Sequence, residues 1–372
     1  MGQKMNTLSS YDNCNVQQLQ DQVLRALNEQ MPLNIVGGNS KHFLGQAAQE
    51  KSHILDTRSH RGIIEYDPRE LVLTARTGTP LNEIEAALAD NGQMLPFEPP
   101  HFSGEATLGG AIACGLSGPR RPYAGAARDL VLGCKLLDGR GEILRFGGQV
   151  MKNVAGYDIS RLMAGAYGTL GVLLEISIKV LPRPTTSITH CHASTPEEAI
   201  RFMSSLLRRA LPVDALCYYK GQCYVRLSSG SEQAVLSASK EIPGDVLSDK
   251  SHFWQRLRDH QLSFFQSDTS LWRITCKPAT APIKIKDTKE SDWLLDWGGA
   301  QRWLVSNMEP NSIRTAISNT GGYATCFRRN NNSEPIDLFQ PLSQPMLALH
   351  QRLKASFDPQ KIFNPGRMYS TL

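Results

Sequence analysis

Residues 106–125 read ATLGGAIACGLSGPRRPYAG, a stretch in which five glycines lie among small apolar residues before an abrupt Pro-Arg-Arg-Pro. Glycine has no Cβ, so Gly109 and Gly110 would let the backbone approach a flat ligand or a pyrophosphate where any side chain would collide. The same small residues also suit close packing of a helix. Taken alone, this stretch leaves both interpretations open.

Two further glycine clusters lie in the same half of the chain. In NIVGGNSKHFLG (residues 34–45) a short strand enters Gly-Gly-Asn-Ser-Lys, where free N–H groups could converge on an anion; an ordinary Gly-Gly turn is the alternative. AGAYGTLG (residues 164–171) precedes a strand-like run. Neither GxxxxGK[ST] nor GxGxxG occurs, which argues against a P-loop or a Rossmann-type site. Three clusters in one region favour ligand contact more than any one does.

Composition excludes several classes of protein. The net charge of +5 is spread along the chain without a basic block, so we expect no nucleic-acid binding. The eight cysteines form no CxxC, so any iron–sulfur group must belong to another chain and the thiols are expected to be reduced in the cytoplasm. No apolar run approaches the roughly 20 residues that span a bilayer. Any membrane association is therefore expected to be indirect, through partners.

The glycine distribution predicts the domain boundaries. Of the 30 glycines, 22 lie in residues 1–171 and 8 lie after them. A strand-like run ends at Leu181-Pro182-Arg183-Pro184, whose two prolines disfavour a continued strand. We therefore predict an α+β domain over residues 1–182, including a hairpin at 130–146. A small α+β cap, of the split β-α-β kind, is predicted for 183–344. A helix and tail are predicted for 345–372, returning to the first domain.

An ordered series of motifs carries a family resemblance. The motifs are Pro99-Pro100, Thr107-Leu108-Gly109-Gly110, Asp129-Leu130-Val131-Leu132-Gly133, Lys152-Asn153-Val154-Ala155-Gly156-Tyr157-Asp158, Gly168-Thr169-Leu170-Gly171, Phe357-Asp358-Pro359 and Asn364-Pro365-Gly366. The series resembles the FAD-linked oxidases of the vanillyl-alcohol oxidase or p-cresol methylhydroxylase (PCMH) type and, within them, the E-subunit family of bacterial glycolate oxidases. The resemblance implies an α+β fold in which two subdomains hold FAD beneath a small α+β cap.

Carried onto this sequence, the resemblance implies a set of cofactor-binding residues. The pyrophosphate would be cradled by Gly37, Gly38, Asn39, Ser40 and Lys41. The flavin and its ribityl chain would be lined by Pro100, Thr107, Gly109, Gly110 and Gly115. Backbone groups near the adenine half or the ring edge would come from Gly168, Gly171 and Val172, and Asn364 would return toward the flavin from the C terminus.

Departures from the family pattern shape the expected chemistry. No histidine stands where covalent-flavin relatives carry theirs, so we expect non-covalent FAD. The H-x-G-D-G-N-x-H signature of catalytic relatives is missing, so no catalytic base can be named. His190 and His192 would share one face of a strand, but without a carboxylate partner we expect an exposed strand and no metal site. For Arg120, Arg121 and Lys152 a structural role and a flavin-side or partner-facing role both remain open.

The leading functional hypothesis is an FAD-binding subunit of a glycolate oxidase complex that oxidises a small 2-hydroxy acid. The expected partners are a sister FAD subunit, which would carry the chemistry, and an iron–sulfur subunit. The runner-up is a self-sufficient FAD oxidoreductase that acts on another hydroxy acid or on a sugar-type alcohol. It would need Arg328, Arg329 or Trp297 above the flavin to orient the substrate. A purely structural subunit with an empty site is a third alternative.

Overall fold

The computed structural model describes residues 3–102, 104–148, 158–248, 251–330 and 336–372, with side chains from residue 14 onward. Helices and strands are mixed along the whole chain, so the predicted α+β class is confirmed. Most of the KNVAGYD motif lies outside the described residues. No helix in the described segments is both long and apolar enough to cross a membrane.

The first part of the chain forms two small sheets and one larger sheet. Its helices are α1 Gln3–Glu29, α2 Leu81–Ala89, α3 Leu108–Cys114, α4 Arg121–Ala124, α5 Ala127–Leu130 and α6 Ile159–Met163. Its strands are β1 Leu33–Val36, β2 His53–Asp56, β3 Ile63–Asp67, β4 Val72–Arg76, β5 Gln93–Met94, β6 Val131–Leu137, β7 Ile143–Gly147, β8 Val172–Lys179 and β9 Leu181–Pro182. β1 and β2 pair in parallel, β5 pairs with β9, and an antiparallel sheet runs in the order β3-β4-β8-β6-β7.

Local chemistry explains the hairpin between β6 and β7. Oδ1 of the buried Asp138 accepts hydrogen bonds from the N–H groups of Arg140 and Glu142, both at 2.9 Å. Gly141 adopts a φ of 80°, which is left-handed backbone that favours glycine. The hairpin predicted from Asp-Gly-Arg-Gly is therefore confirmed; β6 begins one residue later than expected and ends where expected, and β7 is shifted one residue later.

The second part is built on one large antiparallel sheet. Its strands are β10 Thr186–Ala193, β11 Val213–Tyr219, β12 Gln222–Ser229, β13 Asp245–Val246, β14 Leu271–Thr275, β15 Trp293–Asp296, β16 Gln301–Val305 and β17 Tyr323–Arg328. Its helices are α7 Pro196–Leu206, α8 Glu232–Ser239, α9 Phe253–Arg258 and α10 Pro310–Ser318. The strand order is β13-β10-β12-β11-β15-β16-β14-β17. We call this part the cap; its eight-stranded sheet is more extensive than the small layer expected from the sequence.

The C-terminal segment returns to the first part, through α11 Gln344–Phe357 and the residues after it. Nζ of the buried Lys354 donates to the carbonyls of Thr169 and Phe363 and to Asp358, each at 2.7 Å. Asp358 also accepts the N–H groups of Ile362 and Phe363. These contacts bring the Phe-Asp-Pro and Asn-Pro-Gly motifs beside the third glycine cluster.

The Pro-Arg-Arg-Pro segment docks the cap onto the first part. Arg120, 9% exposed, donates to Asp214 of β11 and, at 2.9 Å, to Ser228 of β12. Arg226 of β12 completes the network by donating to Asp214 at 2.6 Å and to Glu98 at 2.8 Å. Both arginines are buried between carboxylates, so each charge is compensated without solvent.

The second arginine of the segment reinforces this contact. The guanidinium of Arg121 lies 4.4 Å from the ring centroid of Trp297, and the indole N–H of Trp297 donates to the Gly118 carbonyl at 3.0 Å. Arg120 and Arg121 thus have the structural role that the sequence left open. Lys152 lies outside the described residues.

Candidate functional site

The first glycine cluster forms a tight loop directly after β1. A Cβ built on Gly38 would stand 1.5 Å from the carbonyl oxygen of Glu105, and one on Gly37 would stand 2.5 Å from Oγ1 of Thr107. Asn39 takes a left-handed φ of 54°, which asparagine tolerates better than most residues. The loop is therefore pressed against the start of the second cluster, and the turn keeps its shape although Asn replaces a further glycine.

Main-chain donors of this loop remain available to a ligand. The N–H groups of residues 37–41 make no hydrogen bond to any other residue that the structure describes. Consecutive unpaired N–H groups in a left-handed turn form a concave site that attracts anions. The loop can therefore offer main-chain donors to a phosphate without breaking an existing hydrogen bond.

The second cluster is the helix α3, which starts at the predicted Thr107-Leu108-Gly109-Gly110. Oγ1 of Thr107 accepts from the Gly110 N–H at 3.3 Å and caps the helix. A Cβ on Gly109 would stand 2.6 Å from that of Thr77, whereas one on Gly110 would meet only Oγ1 of Thr107, at 3.3 Å. Gly109 thus serves close packing, and Gly110 leaves an open cradle beside the helix. Both interpretations of the sequence apply, each to a different glycine.

Asn364 joins β1 to the third cluster. Its Oδ1 accepts from the Ile35 N–H at 2.8 Å, and its Nδ2 donates to the Tyr167 carbonyl at 2.7 Å. A Cβ on Gly168 would stand 2.8 Å from that Nδ2. The resemblance implied that Asn364 turns toward the flavin; the structure shows a side chain whose two polar ends already hold the wall together.

These three clusters line a single cleft, which encloses about 900 Å³ of empty space including its open mouth. Most of the predicted cofactor residues lie on its wall: Gly37, Gly38, Asn39, Ser40, Lys41, Thr107, Gly109, Gly110, Gly168, Gly171 and Asn364. The structure does not place Pro100, Gly115 or Val172 there. Gly115 ends α3 against Gly165, with 3.0 Å between its Cβ position and that Cα. Val172 is buried in β8, and Pro100 lines a second cavity.

Two cations give the cleft a positive character: Lys41 is buried and Arg367 is half-buried. Nζ of Lys41, 6% exposed, donates to the neighbouring Ser40 Oγ at 3.2 Å and lies over the Phe102 ring, and burial lowers its pKa. Arg367 donates to the carbonyls of Gln46 and His42 at 2.8 and 2.9 Å, and burial lowers its pKa as well. Neither cation has a carboxylate partner among the described residues. A bound anion would compensate both charges.

Arg367 was missed by the sequence analysis, although it follows directly after the Asn-Pro-Gly motif. Only the fold shows that this segment crosses the mouth of the cleft, where a Cβ on Gly45 would stand 2.7 Å from the Arg367 carbonyl oxygen. The signal available in the sequence was the proximity of Arg367 to Asn364. Nothing local distinguished it from an exposed arginine.

Other candidates from the sequence lie elsewhere. Trp297 packs between Gly118 and Arg121, outside the cleft. Arg328 donates to the Phe265 carbonyl and, with Arg329, lines a wide open groove. The histidine pair of β10 is packed: His190 bonds Ser239 at 2.7 Å, so the expected exposed strand is wrong at that position. No cluster of possible metal ligands occurs among the residues described.

The fold and the cleft define the class of protein. A family model described as an FAD binding domain matches residues 14–147. A solved structure of alkyldihydroxyacetonephosphate synthase superposes with a TM-score of 0.65 over 93% of this chain and 74% of the other, at 16% identity, which shows a shared fold. The chain is therefore an FAD-dependent oxidoreductase with a PCMH-type fold, as the resemblance implied.

Sequence relatives narrow the class further. Glycolate oxidase subunit GlcE of Escherichia coli K12 is 49% identical over 356 residues, covering 96% of this chain and 98% of the relative. The chain belongs to this GlcE family. Glycolate oxidase subunit GlcD of Bacillus subtilis is 31% identical over 45% of this chain and 37% of its own length. A D-lactate dehydrogenase of Anaerostipes hadrus is 32% identical over 40% of this chain and 32% of its own length.

Proposed function

We propose that this chain is the FAD-binding subunit of a glycolate oxidase complex that converts glycolate to glyoxylate. The observation that carries the proposal is the cleft itself, in which three glycine clusters and two uncompensated cations meet in a chain similar to GlcE along its whole length. A structural subunit with a degenerate site would have no reason to keep two cations without carboxylate partners in this cleft. The proposal therefore includes bound FAD.

The residues of the cleft fit the cofactor. The N–H groups of residues 37–41 would hold the pyrophosphate, because they are unpaired and share one turn. Lys41 and Arg367 would offset its negative charge, and the open cradle at Gly110 would admit the flat part of the molecule. When bound, FAD would supply redox chemistry by taking up electrons and passing them on. Because no attachment histidine stands in the sequence, the binding is proposed to be non-covalent.

Division of labour between subunits is part of the proposal. A sister FAD subunit would carry the catalytic base, and an iron–sulfur subunit would take the electrons onward. This rests on the missing histidine signature of the sequence and on the similarity to GlcE, which is a subunit of glycolate oxidase. The cytoplasm, with any membrane contact made through these partners, is the proposed location.

Purification with and without the partner subunits tests this function. The full complex should turn over glycolate, and the isolated chain loaded with FAD should do so at a small fraction of that rate. A complex that leaves glycolate unchanged would overturn the proposed substrate. An isolated chain as active as the complex would overturn the division of labour.

A self-sufficient oxidoreductase remains a second candidate, because a second cavity lies beside the FAD cleft. Anaerobic addition of a hydroxy acid to the isolated, FAD-loaded chain separates the two cases. Rapid bleaching of the flavin absorbance without partners would favour the second candidate. A flavin that stays oxidised would favour the subunit function.

A further inference from the structure

A second cavity, with about 350 Å³ of empty space including its open mouth, lies between the first part of the chain and the cap. Its aromatic wall is continuous: the His260 ring centroid is 5.3 Å from that of Phe102, 4.7 Å from Trp303 and 5.2 Å from Phe327. Such a wall excludes water and strengthens any electrostatic contact inside. The space suits a small molecule only.

Phe102 separates this cavity from the FAD cleft. Nζ of Lys41, on the cleft wall, lies 5.6 Å from the Phe102 ring centroid, and His260 packs against the same ring. The charge of Arg273 acts on Cys114 and Tyr167 of the cleft as well as on His260. A molecule in the second cavity would therefore be a direct neighbour of the cofactor site.

Arg273 is the distinctive charge of this cavity. It lies on β14, is half-buried and makes no hydrogen bond or ion pair with any residue in the described parts of the chain. Its guanidinium carbon is 5.7 Å from the Phe327 ring centroid. Arg258, in the same cavity, is instead held by Asp259 through contacts of 2.8 and 3.1 Å. Arg273 thus keeps its full donor capacity for a ligand.

Asp296, the one carboxyl among the described residues of the cavity wall, does not neutralise Arg273. Asp296 accepts the Trp297 N–H at 2.7 Å and the Gln301 amide at 3.4 Å. Burial raises the pKa of Asp296 to about 7, so a substantial fraction stays protonated at neutral pH. The cavity therefore retains a net positive charge.

His260 supplies a second polar group on the wall of this cavity. Its ring makes no hydrogen bond with the described residues and stacks on Phe265 at 4.0 Å. Burial and the nearby arginines lower the pKa of His260 to about 3, so the imidazole is neutral at physiological pH. A neutral imidazole offers one donor and one acceptor to a hydroxyl or keto oxygen.

We propose that the second cavity binds a small monocarboxylate, with Arg273 as the anchor of the carboxylate and His260 as the partner of the oxygen on the adjacent carbon. A guanidinium binds a carboxylate through two parallel hydrogen bonds, which fixes the orientation of a short acid. The choice of a 2-hydroxy or 2-oxo acid rests on the proposed function. The anion site itself does not, because it follows from the uncompensated Arg273.

The test uses the full chain with FAD bound and follows the flavin spectrum and the tryptophan fluorescence, to which Trp303 of the cavity wall contributes, while glycolate is added at constant ionic strength. The Arg273→Met variant should bind glycolate at least about tenfold more weakly, because a charge-assisted pair is lost. Arg273→Lys should retain part of the affinity. Arg256→Met, an exposed cap arginine on α9, is the matched control and should bind like the wild type.

A second arm tests His260 by comparing glycolate with acetate, which lacks the hydroxyl. The wild type should prefer glycolate, and His260→Phe should reduce that preference severalfold while acetate still binds. This comparison also tests the proposed site if the Arg273 variants lose FAD or unfold early on heating. An unchanged preference in His260→Phe would remove His260 from the proposal.

The inference is overturned if the wild type binds neither acid or if Arg273→Met binds glycolate as tightly as the wild type does. Its failure is distinguishable from failure of the proposed function. A complex that oxidises glycolate although Arg273→Met leaves binding intact contradicts only this inference. A chain that binds carboxylates through Arg273 within a complex inactive on glycolate contradicts only the proposed function.

Discussion

Gly38 shows how one residue can serve both the fold and the cofactor. Its backbone lies so close to the Glu105 carbonyl that a Cβ would stand 1.5 Å from the oxygen, and the opposing atom is main chain that cannot rotate away. The same close approach positions the N–H groups of residues 37–41 along the cleft. Packing and ligand contact are therefore not alternatives at this position.

The Gly38→Ala variant should lose FAD affinity by at least about tenfold, because the loop must move away from Glu105 to admit a methyl group and its donors move with it. Titration of the cofactor-free chain with FAD measures the affinity. Gly230→Ala is the matched control, since nothing lies within 4 Å of its Cβ position and its backbone is not left-handed. Equal affinities of the two variants would contradict the assigned role of the loop.

Asp296 gives stability a defined pH dependence. Burial raises its folded-state pKa from 3.8 to about 7, so between these values the folded protein retains a proton that the unfolded chain has released. Its contribution to stability is complete below pH 3.8 and is lost as the pH rises toward 7. At about 1.4 kcal/mol per pKa unit, the upper bound of this loss is roughly 4 kcal/mol.

Asp296→Asn should therefore gain stability relative to the wild type as the pH rises from 4 to 7, and the difference should level off above pH 7. Asparagine cannot ionise, and its carbonyl oxygen can still accept the Trp297 N–H. Urea denaturation across this range measures the difference. Parallel curves for the two proteins would show that Asp296 ionises in the folded state at an ordinary pH.

At the scale of elements, the cap is held by a buried charge network that extends from the segment after α3 to β11 and β12. The side chains of Arg120 and Asp214 are each only 10% exposed. Such a network favours one orientation of the two parts, because each charge is satisfied only when both are docked. The second cavity lies at this same boundary, so its shape depends on the network.

Removing Arg120 would leave the buried carboxylate of Asp214 without one of its two arginine partners. We expect Arg120→Met to lower the free energy of unfolding by about 3–5 kcal/mol, which is typical of a broken buried pair. Arg209→Met is the control, because its pair with Glu241 is 41% and 49% exposed and should contribute less than about 1 kcal/mol. Urea denaturation of both full-length variants measures the losses. A loss for Arg120→Met no larger than that of the control would refute the docking role.

At the scale of the whole molecule, the elements with strong local signals were predictable and the long-range contacts were not. The hairpin at Asp138 follows from its turn residues. The wall of the cleft could be predicted from the glycine clusters, because a backbone that must lie close to another group requires glycine at that position. Arg273 and Arg367 have no such local signal in the sequence. Only the fold shows that Arg273 lacks a carboxylate partner among the described residues and that Arg367 lies at the cleft.

The Pro-Arg-Arg-Pro segment illustrates the same limit. Its arginines looked alike in the sequence, yet Arg120 is buried among carboxylates and Arg121 covers Trp297. The residues that decide these roles, Asp214 and Trp297, lie far along the chain. A role set by tertiary partners cannot be read from local pattern alone.

The flavin content of the purified full-length chain tests the central claim most directly. After incubation with FAD and removal of the excess, absorbance of the folded protein and of the cofactor released by denaturation gives the stoichiometry. We expect one FAD per chain, fully released on denaturation because the binding is non-covalent. A folded chain that stays colourless at saturating FAD would contradict the assignment of the cleft as an FAD site.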